Sequence, residues 1–107
     1  MPINQAPNVH QLIICANIFI RKDGKYLLLK RSEKKKYAPG FVHPFGGKVD
    51  INEDPFMGAQ REVLEETGIK VKNMRLEAVL MEIAPVKSDI YKCNWLIFHF
   101  SADYKSD

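Results

Sequence analysis

The side chains best suited to chemistry are four glutamates in the middle of the chain. Glu62, Glu65 and Glu66 stand three and four residues apart, so on a helix they would rise from one surface, and Glu53 precedes them. Like charges at this spacing repel, and carboxylates are disfavoured near a helix C-terminus, where the carbonyl groups already carry partial negative charge. A divalent cation would turn this repulsion into attraction, because Mg²⁺ favours oxygen ligands. The cluster therefore suggests a magnesium site.

A solvated helix face is the competing interpretation of the same glutamates. Glutamate is mostly exposed in proteins, and most runs of charge on helices face water. Arg61, four residues before Glu65, is the only basic residue in this segment and could relieve part of the repulsion. The residue types alone leave both interpretations open, but the unfavourable position of three carboxylates at one helix end favours the metal site.

The helix that must carry these glutamates has clear start and stop signals. Asp54 can accept hydrogen bonds as an N-cap, and Pro55 suits the first helical position. Gly68 suits the left-handed residue that follows a helix. The pattern therefore predicts a helix over residues 55–67. Its predicted packing face consists of apolar or neutral residues at helical spacing: Phe56, Ala59, Val63 and Thr67 or Gln60.

The rest of the chain has strand patterns and one glycine-rich turn toward the helix. Asp23-Gly24 lies between two apolar runs and predicts a tight hairpin, because glycine accepts a positive φ. Gly46-Gly47 is predicted as a loop where a ligand can approach the backbone closely. We predict an α+β architecture with a mixed sheet. The predicted extended segments cover residues 11–21, 25–31, 41–45, 70–84 and 90–100.

Composition limits the classes of function. A chain of 107 residues accommodates one domain, and its net charge of +3 suits an anionic small molecule but is too small to argue for a nucleic acid polymer. Cys15 and Cys93 are far apart in apolar runs, which indicates buried free thiols. The apolar run over residues 12–20 is shorter than the roughly 20 residues of a membrane span, and no signal peptide is evident. We expect a cytoplasmic protein with no membrane partner.

The spacing of the glutamates resembles the signature of the Nudix hydrolases, GX5EX7REUXEEXGU, in which U is a bulky aliphatic residue. Every fixed position of that signature is present. The matching residues are Gly47, Glu53, Arg61, Glu62, Val63, Glu65, Glu66, Gly68 and Ile69. The resemblance implies one Nudix hydrolase domain over residues 1–107, with a Nudix-type α/β/α sandwich and a mixed β-sheet.

This resemblance also implies a reaction and a set of roles. Nudix hydrolases cleave a phosphoanhydride bond in a nucleoside diphosphate linked to another group, using Mg²⁺ or Mn²⁺ and water. By similarity, Glu62 and Glu66 hold the metal together with the carbonyl group of Gly46. Arg61 is expected to orient Glu65. Glu65 and Glu53 are expected to supply further metal contacts or the catalytic base, a choice that the resemblance leaves open.

The substrate is less well defined by the resemblance. Arg31, Lys48 and Phe45 are expected to contact it, with a solvated strand end as the alternative for Arg31. The run Phe45-Gly46-Gly47-Lys48-Val49 resembles the branch that hydrolyses oxidised purine nucleoside triphosphates. Alternatives are cleavage of ADP-ribose, a nucleotide sugar or a dinucleotide, and a catalytically silent module that binds nucleotides.

The chain is short for the family it resembles, whose domains usually continue with a further strand and a closing C-terminal helix. Asp103 is the only nearby candidate for an additional acidic ligand, and its position near the terminus favours a polar tail instead. A fragment, a trimmed form and a minimal variant completed by homodimerisation all remain open. Exposure of one sheet face would favour association.

Overall fold

The apolar segment near the N-terminus forms the central strand of the sheet. A computed structural model of the chain describes residues 12–30, 32–34, 40–84 and 93–107. Strand β1 spans Leu12–Lys22, and its alternate residues Ala16, Ile18 and Ile20 are fully buried. Successive side chains of a strand point to opposite faces, so this pattern identifies the face that carries the core.

The predicted hairpin is present. Asp23 and Gly24 adopt φ values of 52° and 75°, and β2 (Lys25–Leu27) pairs with the end of β1 in antiparallel register. The strand predicted over residues 25–31 is shorter than expected, because β3 (Leu29–Lys30) pairs instead with β4 (Val42–His43) in a separate two-stranded sheet. Residues 25–30 therefore contribute one strand to each of two sheets.

Our prediction of a loop at Gly46-Gly47 is wrong. Both glycines lie in β5 (Phe45–Lys48), which pairs antiparallel with β1 so that Gly46 faces Asn17 and Gly47 faces Ala16. Gly46 has a φ of 147°, and a Cβ placed on it would collide with the backbone carbonyl oxygen of Ala16. Glycine at this position therefore permits a close pairing of backbones, which sequence alone presents as a loop.

Gly46→Ala is expected to destabilise the protein by at least about 3 kcal/mol, since backbone strain and a clash with a rigid backbone atom add together. Urea unfolding measures this loss. Gly24→Ala is the matched control, because Gly24 also has a positive φ but has no atom within 4 Å of the added Cβ. That control should lose only about 1–2 kcal/mol. Equal stability of the two variants would contradict the placement of β5 against β1.

Helix α1 spans Pro55–Thr67, the predicted range. The Asp54 carboxylate accepts a hydrogen bond from the Met57 backbone N–H at 2.8 Å. Gly68 has a φ of 77° and donates its N–H to the Leu64 carbonyl oxygen at 2.8 Å. These contacts satisfy backbone groups that a helix leaves unpaired at its ends. They explain why local signals alone located both ends of the helix.

The face of α1 that packs on the sheet is narrower than predicted. Ala59 and Val63 are fully buried, whereas Phe56 remains 43% exposed, although its ring makes an edge-to-face contact with Phe100. Gln60 is exposed. The core beneath the helix consists of Ala16, Ile18, Ile20, Phe45, Ala59, Val63, Phe100 and Ala102.

Two long strands complete the mixed sheet. Strand β6 spans Lys70–Glu82 and pairs antiparallel with β7 (Asn94–Ser106), which in turn pairs parallel with β1. The strand order is β2-β1-β7-β6, with β5 also on β1. This confirms the α+β class and the mixed sheet. Among the described residues there is one helix, and it lacks the length and apolar character needed to cross a membrane.

The last strand was predicted over residues 90–100 but occupies 94–106, and residues 90–92 lie outside the described part. Asp103 was expected in a polar tail, and this prediction is wrong. It lies within β7, where its carboxylate is 3.5 Å from Arg21 Nε and accepts a hydrogen bond from Asn73 at 3.1 Å. The tail prediction failed because β7 gains partners on both sides, β1 and β6, which local sequence does not reveal.

Candidate active site

Arg61 lies at the centre of the acidic cluster. Its Nε and Nη2 atoms donate to the Glu53 carboxylate at distances of 2.7–3.2 Å. Its Nη1 atom donates to Glu62 at 3.2 Å and to Glu65 at 3.1 Å. Its Nη2 atom also donates to the backbone carbonyl of Lys48 at 3.3 Å. One guanidinium thus joins three of the predicted site glutamates to the end of β5.

The hydrogen bonds between Arg61 and Glu53 stabilise the charged form of both side chains. The hydrogen bond to Glu53 raises the pKa of Arg61 above its ordinary value. The same bond, assisted by the backbone N–H of Asp50, lowers the pKa of Glu53. Glu53 therefore stays ionised, and its carboxylate is held in place through both oxygen atoms.

The turn before α1 positions Glu53. The Asp50 backbone N–H donates to Glu53 Oε1 at 2.8 Å, and the Glu53 N–H donates back to the Asp50 carbonyl at 3.2 Å. The Asp50 carboxylate lies 3.4 Å from Arg61 Nη2. A Cβ added at Gly58 would lie 2.8 Å from Glu53 Oε1, so the carboxylate packs directly on the helix backbone there. Sequence reasoning missed Asp50 and Gly58, although an acid three residues before Glu53 is visible in the sequence.

Glu62 is directed against β5. A Cβ added at Gly47 would lie 2.9 Å from the carboxyl carbon of Glu62, which shows how closely that carboxylate approaches the strand backbone. The Glu62 side chain is only 21% exposed. Glycine at position 47 therefore gives the carboxylate the room that any larger residue would occupy.

Glu66 pairs with Glu62. Partial burial raises the pKa of Glu66, and a hydrogen bond with Glu62 together with the negative charges of Glu62 and Glu65 raises it further. His43 acts in the opposite direction. Two carboxylates this close repel each other, and a cation bound between them removes the repulsion. The arrangement therefore has an affinity for positive charge beyond what Arg61 supplies.

The donor set suits a hard divalent cation. In the described ranges, no three His, Cys, Asp or Glu side chains stand close enough to hold a metal ion by themselves. Mg²⁺ does not require such a cage, since it usually binds one or two carboxylates and completes its shell with water and substrate phosphates. Glu62 and Glu66 supply two carboxylates in contact, with Gly46 and Gly47 alongside in β5.

The remaining predicted residues are placed differently. Lys48 is exposed at the end of β5, and its Nζ atom lies 5.8 Å from the centroid of the Trp95 ring. Phe45 is only 4% exposed and packs in the core beneath α1, so the structure gives its ring a packing role rather than a surface for substrate. Arg31 lies outside the described residues. Asp103 pairs with Arg21 near the hairpin end of β1, away from the β5 contacts.

Comparison with known proteins identifies relatives that are similar over part of the chain. A "NAD-capped RNA hydrolase NudC" from Haemophilus influenzae is 35% identical over 65 residues, which are 59% of this chain and 25% of that protein. A "MutT-like protein" from Streptomyces ambofaciens is 34% identical over 74 residues, 69% of this chain and 44% of that protein. The chain thus spans about a quarter to less than half of the curated relatives it matches.

Solved structures share the fold over most of the chain. A MutT protein from Bacillus halodurans superimposes with a TM-score of 0.74 at 26% identity, covering 90% of this chain and 60% of that one. A MutT NUDIX hydrolase from Burkholderia pseudomallei gives the same TM-score at 27% identity, covering 92% of this chain and 72% of that one. The NUDIX domain model matches residues 11–107, almost the whole chain. With its acidic helix, its glycine strand and its mixed sheet, this chain belongs to the NUDIX domain family.

Proposed function

We propose that the chain is a metal-dependent pyrophosphohydrolase that acts on a nucleoside diphosphate linked to another group, with a nucleoside triphosphate as the favoured substrate. The observation that carries this proposal is the junction at β5. There Arg61 joins Glu53, Glu62 and Glu65, while Glu62 lies against Gly47 and contacts Glu66. Such clustered carboxylates suit the binding of metal ions that neutralise a diphosphate.

The proposed roles follow from these contacts. Glu62 and Glu66 would hold Mg²⁺ or Mn²⁺ with the Gly46 carbonyl. When bound, the metal neutralises charge on the phosphoryl group and lowers the pKa of bound water. Arg61 would hold the Glu62 and Glu65 carboxylates beside each other through its Nη1 atom, which donates to both.

The geometry favours Glu65 over Glu53 as the group that accepts a proton from water. Both oxygens of Glu53 accept hydrogen bonds from Arg61, and its pKa is lowered, so it is a weak base. Glu65 accepts from Arg61 through Oε2, and its side chain is 61% exposed. We therefore assign Glu53 to positioning Arg61 and Glu65 to proton transfer.

Two substrate classes have support. The run Phe45-Gly46-Gly47-Lys48-Val49, through its resemblance to the branch that hydrolyses oxidised purine nucleoside triphosphates, supports a nucleoside triphosphate. The relatives named NAD-capped RNA hydrolases support a dinucleotide as the second candidate. The complete acidic cluster argues against a silent binding module, which has no need for all four glutamates.

A substrate panel tests the proposal. With Mg²⁺, we expect the protein to release pyrophosphate and a monophosphate from dGTP or 8-oxo-dGTP, measured by chromatography of the products. NAD⁺, NAD-capped RNA and ADP-ribose form the second arm, and turnover confined to them would replace the triphosphate by the dinucleotide class. Saturable nucleotide binding without turnover of any member would instead identify a silent module.

A further inference from the structure

The last turn of α1 carries negative charge at the end of a helix where negative charge is unfavourable. Glu65 and Glu66 lie in that turn, Glu62 lies one turn earlier, and the turn contains no basic residue. The carbonyl groups at a helix C-terminus carry partial negative charge, so they repel these carboxylates, which also repel one another. Helix ends fray readily. Other contacts must therefore stabilise this turn before a cation is bound.

The Thr67 hydroxyl makes two hydrogen bonds at this end of the helix. It donates to the Val63 carbonyl oxygen at 2.6 Å and accepts from the Ile69 backbone N–H at 3.0 Å. Val63 is fully buried, and Ile69 packs against the core. The hydroxyl therefore connects the last turn to the residue that follows the cap glycine, and the residues on both sides of this connection are anchored by the core.

The position of Thr67 at the helix end makes these bonds favourable. Inside a helix, a hydroxyl bonded to the carbonyl four residues earlier tends to bend the helix and weaken it slightly. At Thr67 the helix ends, so no following turn is distorted. The Ile69 N–H lies beyond the helix and gains an acceptor from the hydroxyl. Gly68 closes the same turn through the Leu64 carbonyl at 2.8 Å, so Thr67 and Gly68 act together on the turn that carries Glu65 and Glu66.

We propose that Thr67 is a positioning residue for the metal site: its hydroxyl keeps the last turn of α1 helical against the repulsion of the carboxylates, so that Glu62 and Glu66 stay one turn apart before a cation binds. This inference rests on the proposed function. A ligand that binds one of two conformations has an apparent affinity reduced in proportion to the population of that conformation. A preformed turn therefore raises the affinity for Mg²⁺. The rate of hydrolysis at saturating Mg²⁺ does not depend on it, because the bound cation itself then stabilises the turn.

Two substitutions of Thr67 test the role of its hydroxyl. Thr67→Val removes the hydroxyl but keeps a β-branched side chain with a similar helix propensity. We expect the dissociation constant for Mg²⁺, measured by calorimetry without substrate, to rise about tenfold, because two hydrogen bonds of the turn are lost. The kcat at saturating Mg²⁺ should stay within about twofold of the wild type. Thr67→Ser keeps the hydroxyl and should retain the wild-type affinity for Mg²⁺.

Amide hydrogen exchange of the metal-free protein measures the turn directly. In the wild type, the amides of residues 65–69 should be protected without Mg²⁺, because the turn is already formed. In Thr67→Val, the same amides should exchange about tenfold faster, since the lost hydrogen bonds no longer oppose fraying. Adding Glu66→Gln to Thr67→Val should restore part of the protection, because it removes one of the repelling charges.

Three outcomes would overturn the role of Thr67 and leave the proposed function intact. The first is a Thr67→Val variant with a lower melting temperature but wild-type affinity for Mg²⁺, since the hydroxyl would then serve stability alone. The second is an equal loss of affinity in Thr67→Ser. The third is rapid exchange of residues 65–69 in the metal-free wild type, a test that remains valid even if Thr67→Val does not fold. Absence of both Mg²⁺ binding and hydrolysis in the wild type would overturn the proposed function and this inference together.

Discussion

Glu66→Gln is expected to lower Mg²⁺-dependent hydrolysis by at least about 100-fold while raising the melting temperature of the metal-free protein. Even residues that only support metal ligands cost about 10–100-fold when replaced, and a ligand should cost no less. The gain in stability has the same origin as the loss of activity. Glu66 lies beside Glu62 and Glu65 on the helix, so its negative charge opposes folding when no cation is bound.

The pH dependence of stability follows from the raised pKa of Glu66. A carboxyl group whose pKa is higher in the folded state favours folding only while it is protonated. Its contribution is therefore lost as pH rises from the unfolded-state pKa, about 4.3, through the folded-state value. Metal-free wild type should lose melting temperature over that window, and Glu66→Gln should lose less. Mg²⁺ should stabilise the wild type but have little effect on the variant.

Two measurements test this prediction: pyrophosphate release with a saturating substrate, and thermal unfolding with and without Mg²⁺ across the pH range. Glu77→Gln is the control, because Glu77 lies on β6 and accepts a hydrogen bond from Ser101, away from α1. Wild-type activity in Glu66→Gln would remove Glu66 from the metal site. A melting temperature lower than that of the wild type would contradict the repulsion between Glu62 and Glu66.

The features that sequence predicted well are local. Helix α1 begins and ends where its cap residues indicate, because Asp54 and Gly68 make contacts within one helical turn. The spacing of Glu62 and Glu66 likewise depends only on helix geometry, and the structure brings those two side chains into contact. Structure that depends only on contacts between residues close in sequence can be predicted without knowing which distant segments pack against it.

The failures involve residues whose environment is set by distant segments. Gly46-Gly47 was predicted as a loop, but pairing with β1 makes it a strand. Asp103 was predicted in a tail, but β1 and β6 flank it on both sides. Phe45 was predicted to contact substrate, but its ring completes the core under α1. Strand pairing determines the environment of each of these residues, and the register of a strand pair cannot be inferred from the sequence of either strand alone.

Arg61→Lys is expected to reduce both activity and stability, although charge is conserved. The Arg61 guanidinium binds Glu53 through Nε and Nη2 and still donates to Glu62 and Glu65 through Nη1. A lysine ammonium is a single point of charge and cannot span these acceptors in a fixed plane. Glu53 would lose its paired contact, and Glu62 and Glu65 would lose a common anchor. We expect hydrolysis to fall by about 100-fold, as for residues that support metal ligands, and the melting temperature by several degrees.

The loss of folding stability at acid pH gives the Arg61→Lys prediction a second test. Arg61 lowers the pKa of Glu53, so the pair stabilises the fold above the unfolded-state pKa of glutamate, about 4.3, and that contribution is lost as pH falls. Arg61→Lys should therefore lose less stability than the wild type as pH falls from about 4.3 through the folded-state pKa of Glu53. Arg75→Lys is the control, since Arg75 is 74% exposed and 3.9 Å from Glu77. Arg61→Lys could instead match that control both in activity and in its loss of stability at acid pH. In that case the positive charge alone would suffice, and the planar set of donors on Arg61 would not be what organises the glutamates.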